Sequence, residues 1–135
     1  MRVLFWYCER MAWTPTQKTL PEVADGLPNE VTKAVAAFVH IEPHDTERAG
    51  KVETKLVKNA KWLAGKWDTR RVVLHTFAHL AEEKADPDFS RELMGQARQR
   101  LESAGYEVVE TPFGYFNDLE LSAPGYPLAR VYKEF

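Results

Sequence analysis

The sequence contains one cysteine, no long apolar run and no glycine-rich phosphate loop. Cys8 stands alone among 135 residues, which excludes an internal disulfide and a cysteine-rich metal site. The opening apolar run, residues 3–8, is too short for a secretion signal, and no stretch approaches the roughly 20 apolar residues of a membrane span. The lack of a glycine-rich loop leaves nucleoside triphosphate chemistry unsupported. We therefore expect a cytoplasmic chain that makes no membrane contact.

An excess of either charge is also missing. Eighteen basic residues stand against 20 acidic ones, which leaves a net charge of −2. This balance argues against broad, charge-driven binding to a nucleic-acid backbone, although a pocket can still hold one nucleotide end through a few contacts. With 44% apolar and 28% charged residues, the composition is typical of a soluble globular protein. The length suits a single domain over residues 1–135.

Short apolar runs bounded by turn residues predict the strands. The run at residues 3–8 is apolar throughout, which indicates burial on both faces. Residues 9–28 contain several prolines and a glycine, so they are expected to form an edge-like second strand followed by a loop. Further strands are predicted at residues 34–42, 71–76, 106–111 and 116–122, with a short apolar tail at 128–132.

The period of the apolar positions predicts two helices. In the first, apolar side chains recur at helical spacing over residues 52–67, and Asp45 or Thr46 is expected to cap its start. The second is expected to begin at Asp86 and to end at Gly105, a residue type that favours a left-handed C-terminal cap.

The resulting order is β-β-β-α-β-α-β-β with a short tail, which predicts an α/β fold. We expect a single mixed β-sheet with two helices packed on one face. The other face must also be hidden, because its strands carry aromatic side chains on both sides. A dimer interface would hide it, so the sequence raises the hypothesis of a homodimer.

Several residue patterns suggest chemistry but have simpler explanations. Histidines recur twice with a four-residue step, as His40/His44 and His75/His79. That step suits zinc on a helix, but both pairs begin in predicted strands, so it does not place two rings on one face. Cys8 lacks a neighbouring base and is expected to be a buried structural thiol. Carboxylates flank both predicted helix starts, where capping explains them. No metal and no cofactor are predicted.

Two short segments at the ends of predicted strands resemble motifs of a known protein family. Residues 76–80 read T-F-A-H-L, and residues 111–116 read T-P-F-G-Y-F. In the same order and at a similar distance, the archaeal threonyl-tRNA synthetase editing domains carry P-F-A-H-L and A-P-F-G-Y-Y-K. Three further segments are similar to that family: M-R-V-L at the start, A-F-V-H-I-E at residues 37–42 and G-Y-P-L-A at residues 125–129. The chain resembles this family over nearly its whole length.

The resemblance implies a fold, an activity and partners. The family fold is similar to that of D-aminoacyl-tRNA deacylases, an α/β domain that dimerises. The family hydrolyses the ester that joins serine to the terminal ribose of tRNA(Thr). The pocket in which a synthetase charges the tRNA needs such proofreading. It distinguishes threonine from serine, which lacks one methyl group, by only about 1–3 kcal/mol. The implied partners are the 3′ end of tRNA(Thr) carrying serine and a separate or fused threonyl-tRNA synthetase catalytic core.

Matching positions give the expected site residues. By resemblance, Ile41 and Ala78 would line the serine pocket, and His79 would lie near the terminal adenosine or the ester. Phe113 and Gly114 would contribute main-chain N–H groups and a close approach to the substrate, which glycine permits.

The remaining matched positions include departures from the family. Tyr115 would pack against the pocket or the adenine. Phe116 stands where the family has a second Tyr, and Asn117 stands where it has Lys. Near the C-terminus, Tyr126 replaces a His and Arg130 replaces a Glu; both stay expected substrate contacts, as does Phe116. Asn117 cannot act as a cation, but we expect it to hold a water or the substrate ammonium.

We expect hydrolysis to persist despite these changes, because an aminoacyl ester needs mainly orientation and oxyanion stabilisation. Main-chain N–H groups and the 2′-hydroxyl of the tRNA can position the water. Two alternatives stay open. One is a module of the same fold that binds tRNA ends or dimerises a synthetase without turnover. The other is a deacylase with an altered preference, for example for D-aminoacyl esters.

Overall fold

The computed structural model describes residues 1–135. Strands and helices follow one another in the order β1 (Arg2–Lys18), β2 (Asn29–His40), α1 (Ala49–Lys66), β3 (Arg71–Thr76), α2 (Pro87–Ser103), β4 (Glu107–Glu110), β5 (Tyr115–Ser122) and β6 (Arg130–Glu134). Short 3₁₀ turns, Pro43–Arg48 and Pro127–Ala129, precede α1 and β6. The apolar tail of the sequence is therefore a sixth strand.

The strands form one mixed sheet in the order β4-β3-β2-β1-β5, and β6 pairs with the first residues of β1. Strands β2, β3 and β4 are parallel to one another, while β1 is antiparallel to β2, β5 and β6. This arrangement confirms the predicted α/β fold with a single mixed sheet and two helices.

Both helices pack against one face of the sheet. Val52 and Leu56 of α1 and Leu93 of α2 lie in one buried cluster with Val3 and Phe5 of β1. Full burial of such side chains contributes about 1.5–3 kcal/mol each. The apolar period read from the sequence therefore corresponds to the face that packs on the sheet. Neither helix combines the length and apolar character that crossing a membrane requires.

The predicted ends of α2 are confirmed. The carboxylate of Asp86 accepts hydrogen bonds from the backbone N–H groups of Asp88 at 3.0 Å and Phe89 at 3.3 Å, which satisfies free donors of the first turn. Gly105 follows the helix with a φ of +88°, the left-handed conformation expected there.

The prediction that Asp45 or Thr46 caps α1 is wrong, because a 3₁₀ turn precedes the helix. The carboxylate of Asp45 is fully buried. It accepts hydrogen bonds from the ammonium group of Met1 at 2.9 Å and from the guanidinium of Arg48 at 3.0 Å. Asp45 therefore ties the start of β1 to this turn.

The first two predicted strands are one continuous strand, β1. The pairing of β1 with β2 ends at Trp13, so Pro15 pairs only with β5. Because proline has no backbone N–H, it could not donate to β2, but no such bond is needed at this position. The ladder with β5 shifts register between Pro15 and Gln17, which is the geometry of a β-bulge. The prolines that predicted a break are thus accommodated at the edge of the sheet.

β1 is strongly curved. Val3 near its start pairs with Val39, and Lys18 at its end pairs with Tyr115. An extended strand rises about 3.3 Å per residue, which would separate the two ends by roughly 50 Å. Yet Val39 and Tyr115 line the same cavity. The outer half of β1, together with β5, therefore curves back over the sheet face opposite the helices.

This curvature buries much of the second face without a partner. Met11 and Trp13 of the outer half of β1 pack in a cluster with Ala36, Phe38 and Val73 from the inner strands. The expected burial of this face is therefore provided in large part by the chain itself. Whether the protein dimerises stays a prediction.

Candidate active site

A cavity of about 270 Å³ lies at the carboxyl ends of the parallel strands β2 and β3. Ligands in open α/β sheets commonly bind at this edge. Two loops meet at its wall, the first loop at residues 77–85 after β3 and the second loop at residues 111–114 before β5. The two resembling segments therefore share one cleft.

Eight of the ten residues expected at the site line this cavity. They are Ile41, Ala78, His79, Phe113, Gly114, Tyr115, Phe116 and Asn117. Tyr126 and Arg130 do not belong to the lining. Tyr126 lies edge-on to Trp67 with ring centroids 6.3 Å apart, and Arg130 lies over the Trp6 ring at 5.4 Å. The two C-terminal departures from the family therefore lie outside the cavity wall.

The two loops leave main-chain donors unused. The N–H groups of Phe113 and Gly114 donate to no other group of the protein, and neither do those of Ala78 and His79. Free N–H groups on adjacent loop residues can stabilise a developing oxyanion. They are also insensitive to the identity of the side chains.

Gly114 is required by both conformation and space. Its φ is +79°, a region that favours glycine. A Cβ at this position would lie 2.8 Å from the Cγ1 of Val23. Its carbonyl accepts a hydrogen bond of 2.7 Å from Thr19 N–H. Thr19 and Val23, in the segment that follows β1, therefore fix the second loop, which carries the free N–H groups of Phe113 and Gly114.

The Tyr115 hydroxyl is used within the protein. It donates to the carbonyl of Ala24 at 2.9 Å and accepts from the N–H of Gly26 at 3.0 Å. A Cβ on Gly26 would come within 2.7 Å of Pro112. Tyr115 thus holds the segment after β1 against the second loop and shapes the wall.

Asn117 presents an unused acceptor. Its Oδ1 is buried without a hydrogen-bond partner, while its Nδ2 donates weakly to the carbonyl of Tyr115 at 3.4 Å. A buried polar atom left unpaired costs about 1–3 kcal/mol. Asn117 lines the cavity, so the amide that carries this unpaired acceptor lies at the cavity wall.

His75 also lines the cavity, although the sequence analysis assigned it no role. Its Nδ1 forms a 2.8 Å hydrogen bond with the hydroxyl of Thr111. Burial, with a smaller effect from nearby His79, lowers the pKa of His75 to about 4. The ring is therefore neutral at physiological pH. Its position at the end of a buried strand, four residues before His79, is the signal in the sequence that could have identified it.

The cavity wall also includes the polar side chains of Thr19, Thr76, Lys84 and Ser90 beside apolar ones. The His79 ring is exposed and lies edge-on to Phe77 at 4.9 Å. Ile41 is 3% exposed and forms apolar wall. Cys8 lies in the buried cluster of the second face, where burial raises its pKa to about 12. The thiol is thus structural, as expected.

The fold and cleft define the class of the protein. The solved structure of the c-Myc DNA Unwinding Element Binding Protein matches with a TM-score of 0.70 at 10% identity, covering 100% of this chain and 99% of that one. The chain thus has the D-aminoacyl-tRNA deacylase-like fold. The family model described as the archaea-specific editing domain of threonyl-tRNA synthetase matches residues 1–135. The chain belongs to this family of editing domains.

Relatives among known proteins agree with this membership. The chain is 31% identical to the threonine–tRNA ligase of Methanopyrus kandleri and 30% identical to that of Thermococcus kodakarensis, in each case over 97% of its length. The full length of the chain matches the Pyrobaculum arsenaticum ligase at 29% identity. It spans only 21–22% of these ligases.

Proposed function

We propose that this chain hydrolyses the ester of L-seryl-tRNA(Thr), which proofreads the synthesis of threonyl-tRNA. The observation that carries the proposal is the cavity between the two loops, with free N–H groups on Phe113 and Gly114 and the unpartnered Oδ1 of Asn117. Family membership supports proofreading, and the cavity suggests how the ester is held.

In this mechanism a water molecule attacks the carbonyl carbon of the seryl ester. The main-chain N–H groups of the second loop stabilise the developing oxyanion. The neighbouring 2′-hydroxyl of the terminal ribose orients the water, and Asn117 accepts a hydrogen bond from the substrate ammonium or from that water. The bond between the carbonyl carbon and the ribose 3′-oxygen then breaks, and a proton of the attacking water passes to that oxygen, which releases serine and leaves the tRNA with a free 3′-hydroxyl.

Selectivity rests on shape. Ile41 and Ala78 form an apolar part of the wall, where the extra methyl of threonine would meet the protein. One methyl is worth about 1–3 kcal/mol in such a pocket. An editing site must exclude the bulkier side chain of threonine, because threonyl-tRNA(Thr), the correct product, must not be hydrolysed.

The setting of the activity is part of the proposal. Residues 1–135 act as one editing module in the cytoplasm, where aminoacyl-tRNA is made. The module receives the 3′ end of mischarged tRNA(Thr) from a threonyl-tRNA synthetase catalytic core, either fused to it or separate. A large share of the relatives' length lies outside the matched region, so such a core is the natural partner.

A deacylation panel tests the proposal. The protein is incubated with L-seryl-, L-threonyl- and D-aminoacyl-tRNA(Thr), and amino-acid release is compared with buffer. We expect release from the L-seryl ester, with the L-threonyl ester slower by about tenfold or more. Preferred release from a D-aminoacyl ester would favour the altered deacylase. Binding of a seryl-adenosine analogue without release from any ester would favour the non-catalytic module.

A further inference from the structure

His40 at the end of β2 is fully buried, and both of its ring nitrogens contact the first loop of the cavity. The backbone N–H of Leu80 donates to His40 Nδ1 at 3.0 Å. His40 Nε2 lies 2.7 Å from the carbonyl oxygen of Glu83. One imidazole ring therefore bridges two points of the loop that carries Ala78 and His79.

These contacts fix the state of the ring. Because Nδ1 accepts a hydrogen bond from Leu80, it carries no proton. The Nε2 atom then carries the proton and donates it to the Glu83 carbonyl. The ring is thus neutral in a single tautomer, and a protonated ring would set two N–H donors against each other at Leu80.

Backbone bonds hold only the ends of this loop. Phe77 N–H donates to the carbonyl of Val39 at 2.9 Å, and Ala85 N–H donates to the carbonyl of Ile41 at 2.9 Å. Between them, the other side-chain bond to the loop runs from Arg2, which is partly exposed, to the carbonyl of Leu80 at 3.2 Å. His40 is therefore the buried group that orders the middle of the loop.

We propose that His40 is a positioning residue for the editing reaction: it sets the backbone of residues 78–80 by holding Leu80 and Glu83 to the end of β2. This inference rests on the proposed function. Leu80 directly follows His79, whose N–H is free at the cavity wall. Release of Leu80 would let that N–H and the Ala78 wall move away from the ester, and a displacement near 1 Å can reduce a rate by about a hundredfold.

Three substitutions separate the two contacts. His40→Asn keeps an acceptor close to the place of Nδ1, His40→Gln keeps a donor close to the place of Nε2, and His40→Ala removes both. We expect His40→Ala to lower kcat for serine release from seryl-tRNA(Thr) by about tenfold or more, with KM changed far less. His40→Asn should recover most of the loss, because Leu80 is the contact next to His79. His40→Gln should recover less.

Hydrogen exchange supplies a readout that does not need turnover. The Leu80 amide should exchange faster in His40→Ala than in the wild type and regain protection in His40→Asn, while the buried amides of β3 stay protected in all three. The matched control is His44→Ala, since His44 is exposed and contacts Arg48 on the neighbouring 3₁₀ turn. It should leave kcat and the Leu80 amide unchanged.

Two results would overturn the assignment. One is a folded His40→Ala protein with wild-type kcat and wild-type protection at Leu80. The other is an equal loss of kcat in the Ala and Asn variants, which would remove the role of the Leu80 contact. If the wild type releases no amino acid from any ester, the proposed function fails, and the exchange of the Leu80 amide still decides whether His40 holds the loop.

Discussion

At the scale of single residues, Asn117 and His75 are two polar side chains of the cavity wall that stay uncharged at neutral pH. Asn117 has no ionisable group, and His75 is kept neutral by its burial. Together with the free main-chain donors of the loops, they offer a substrate hydrogen-bonding groups that carry no charge. We therefore expect activity to survive the replacement of the family's Lys, because no step in the proposed mechanism needs a cation at position 117.

Asn117 should matter for activity but not for stability. We expect Asn117→Ala to lower kcat/KM for seryl-tRNA(Thr) by about tenfold or more, because a hydrogen bond to a charged group contributes about 1.5–3 kcal/mol. The same change should leave the free energy of unfolding unaltered or raise it, since it removes a buried acceptor without a partner. Steady-state kinetics and urea unfolding measure both. Asp118→Ala, on the exposed side of the same strand, is the control; a large stability loss in Asn117→Ala would contradict this reading.

His75 should make stability depend on pH. Its pKa of about 4 in the folded protein lies below the ordinary histidine value of 6.5, so between these values the unfolded chain binds more protons. The neutral His75 ring contributes to the free energy of unfolding in full above pH 6.5. This contribution is lost as pH falls toward 4, by about 3 kcal/mol in total. Urea unfolding of the wild type and of His75→Gln across this range measures the difference. Parallel curves for the two proteins would show that His75 is not buried as a neutral ring.

At the scale of elements, the sequence predicted those parts whose pattern is local. Helix α2 and strand β3 were predictable because a cap, a period and a compact apolar run each lie within a few residues. The continuity of β1 was not, because Pro15 signals a break and only the pairing with β5 shows that its N–H is not needed. Most of the site was predictable through the two loop motifs. His40 and Thr111 were not, because their roles depend on segments that meet only in the fold.

The backbone conformation of the second loop requires glycine at position 114, and substitutions test this requirement. Gly114→Ala should destabilise the protein by about 1–2 kcal/mol from its left-handed φ alone, with a further loss from the contact with Val23. Gly105→Ala has a similar φ of +88° with the nearest atom at 3.8 Å, so it isolates the conformational part. Gly125→Ala meets no atom within 4 Å and should change stability by less than about 0.5 kcal/mol. Equal stability of the Gly114 and Gly125 variants would contradict the geometry described for this loop.

At the scale of the whole molecule, curvature of β1 decides where the site forms. It brings the loop before β5 to the carboxyl ends of β2 and β3, and it covers much of the second face. What stays open on that face is its β6 side, where Tyr132 pairs with Leu4 and is 48% exposed. Trp6 lies next along the same face of β1 and is only partly buried.

This open part of the face is where we expect the homodimer to form. Sedimentation at micromolar concentration should give a dimer, and Tyr132→Glu should shift it toward monomer, because a buried unpaired charge opposes association. Lys133→Gln serves as the control and should leave the mass unchanged, because the Lys133 side chain lies over the Trp62 ring of α1 on the helix side of the sheet. A wild type that sediments only as a monomer would remove the dimer from the account.

The most direct test of the central claim removes side chains and keeps the main chain. Single-turnover release of serine from seryl-tRNA(Thr) is measured for the wild type and for the double variant His79→Ala/Asn117→Ala, each against buffer. Since oriented main-chain donors and binding alone can sustain about a thousandfold acceleration over water, we predict that the double variant is slower than the wild type but well above buffer. Release by the double variant at the rate of buffer, in a protein that still folds, would contradict the claim that main-chain groups carry the reaction.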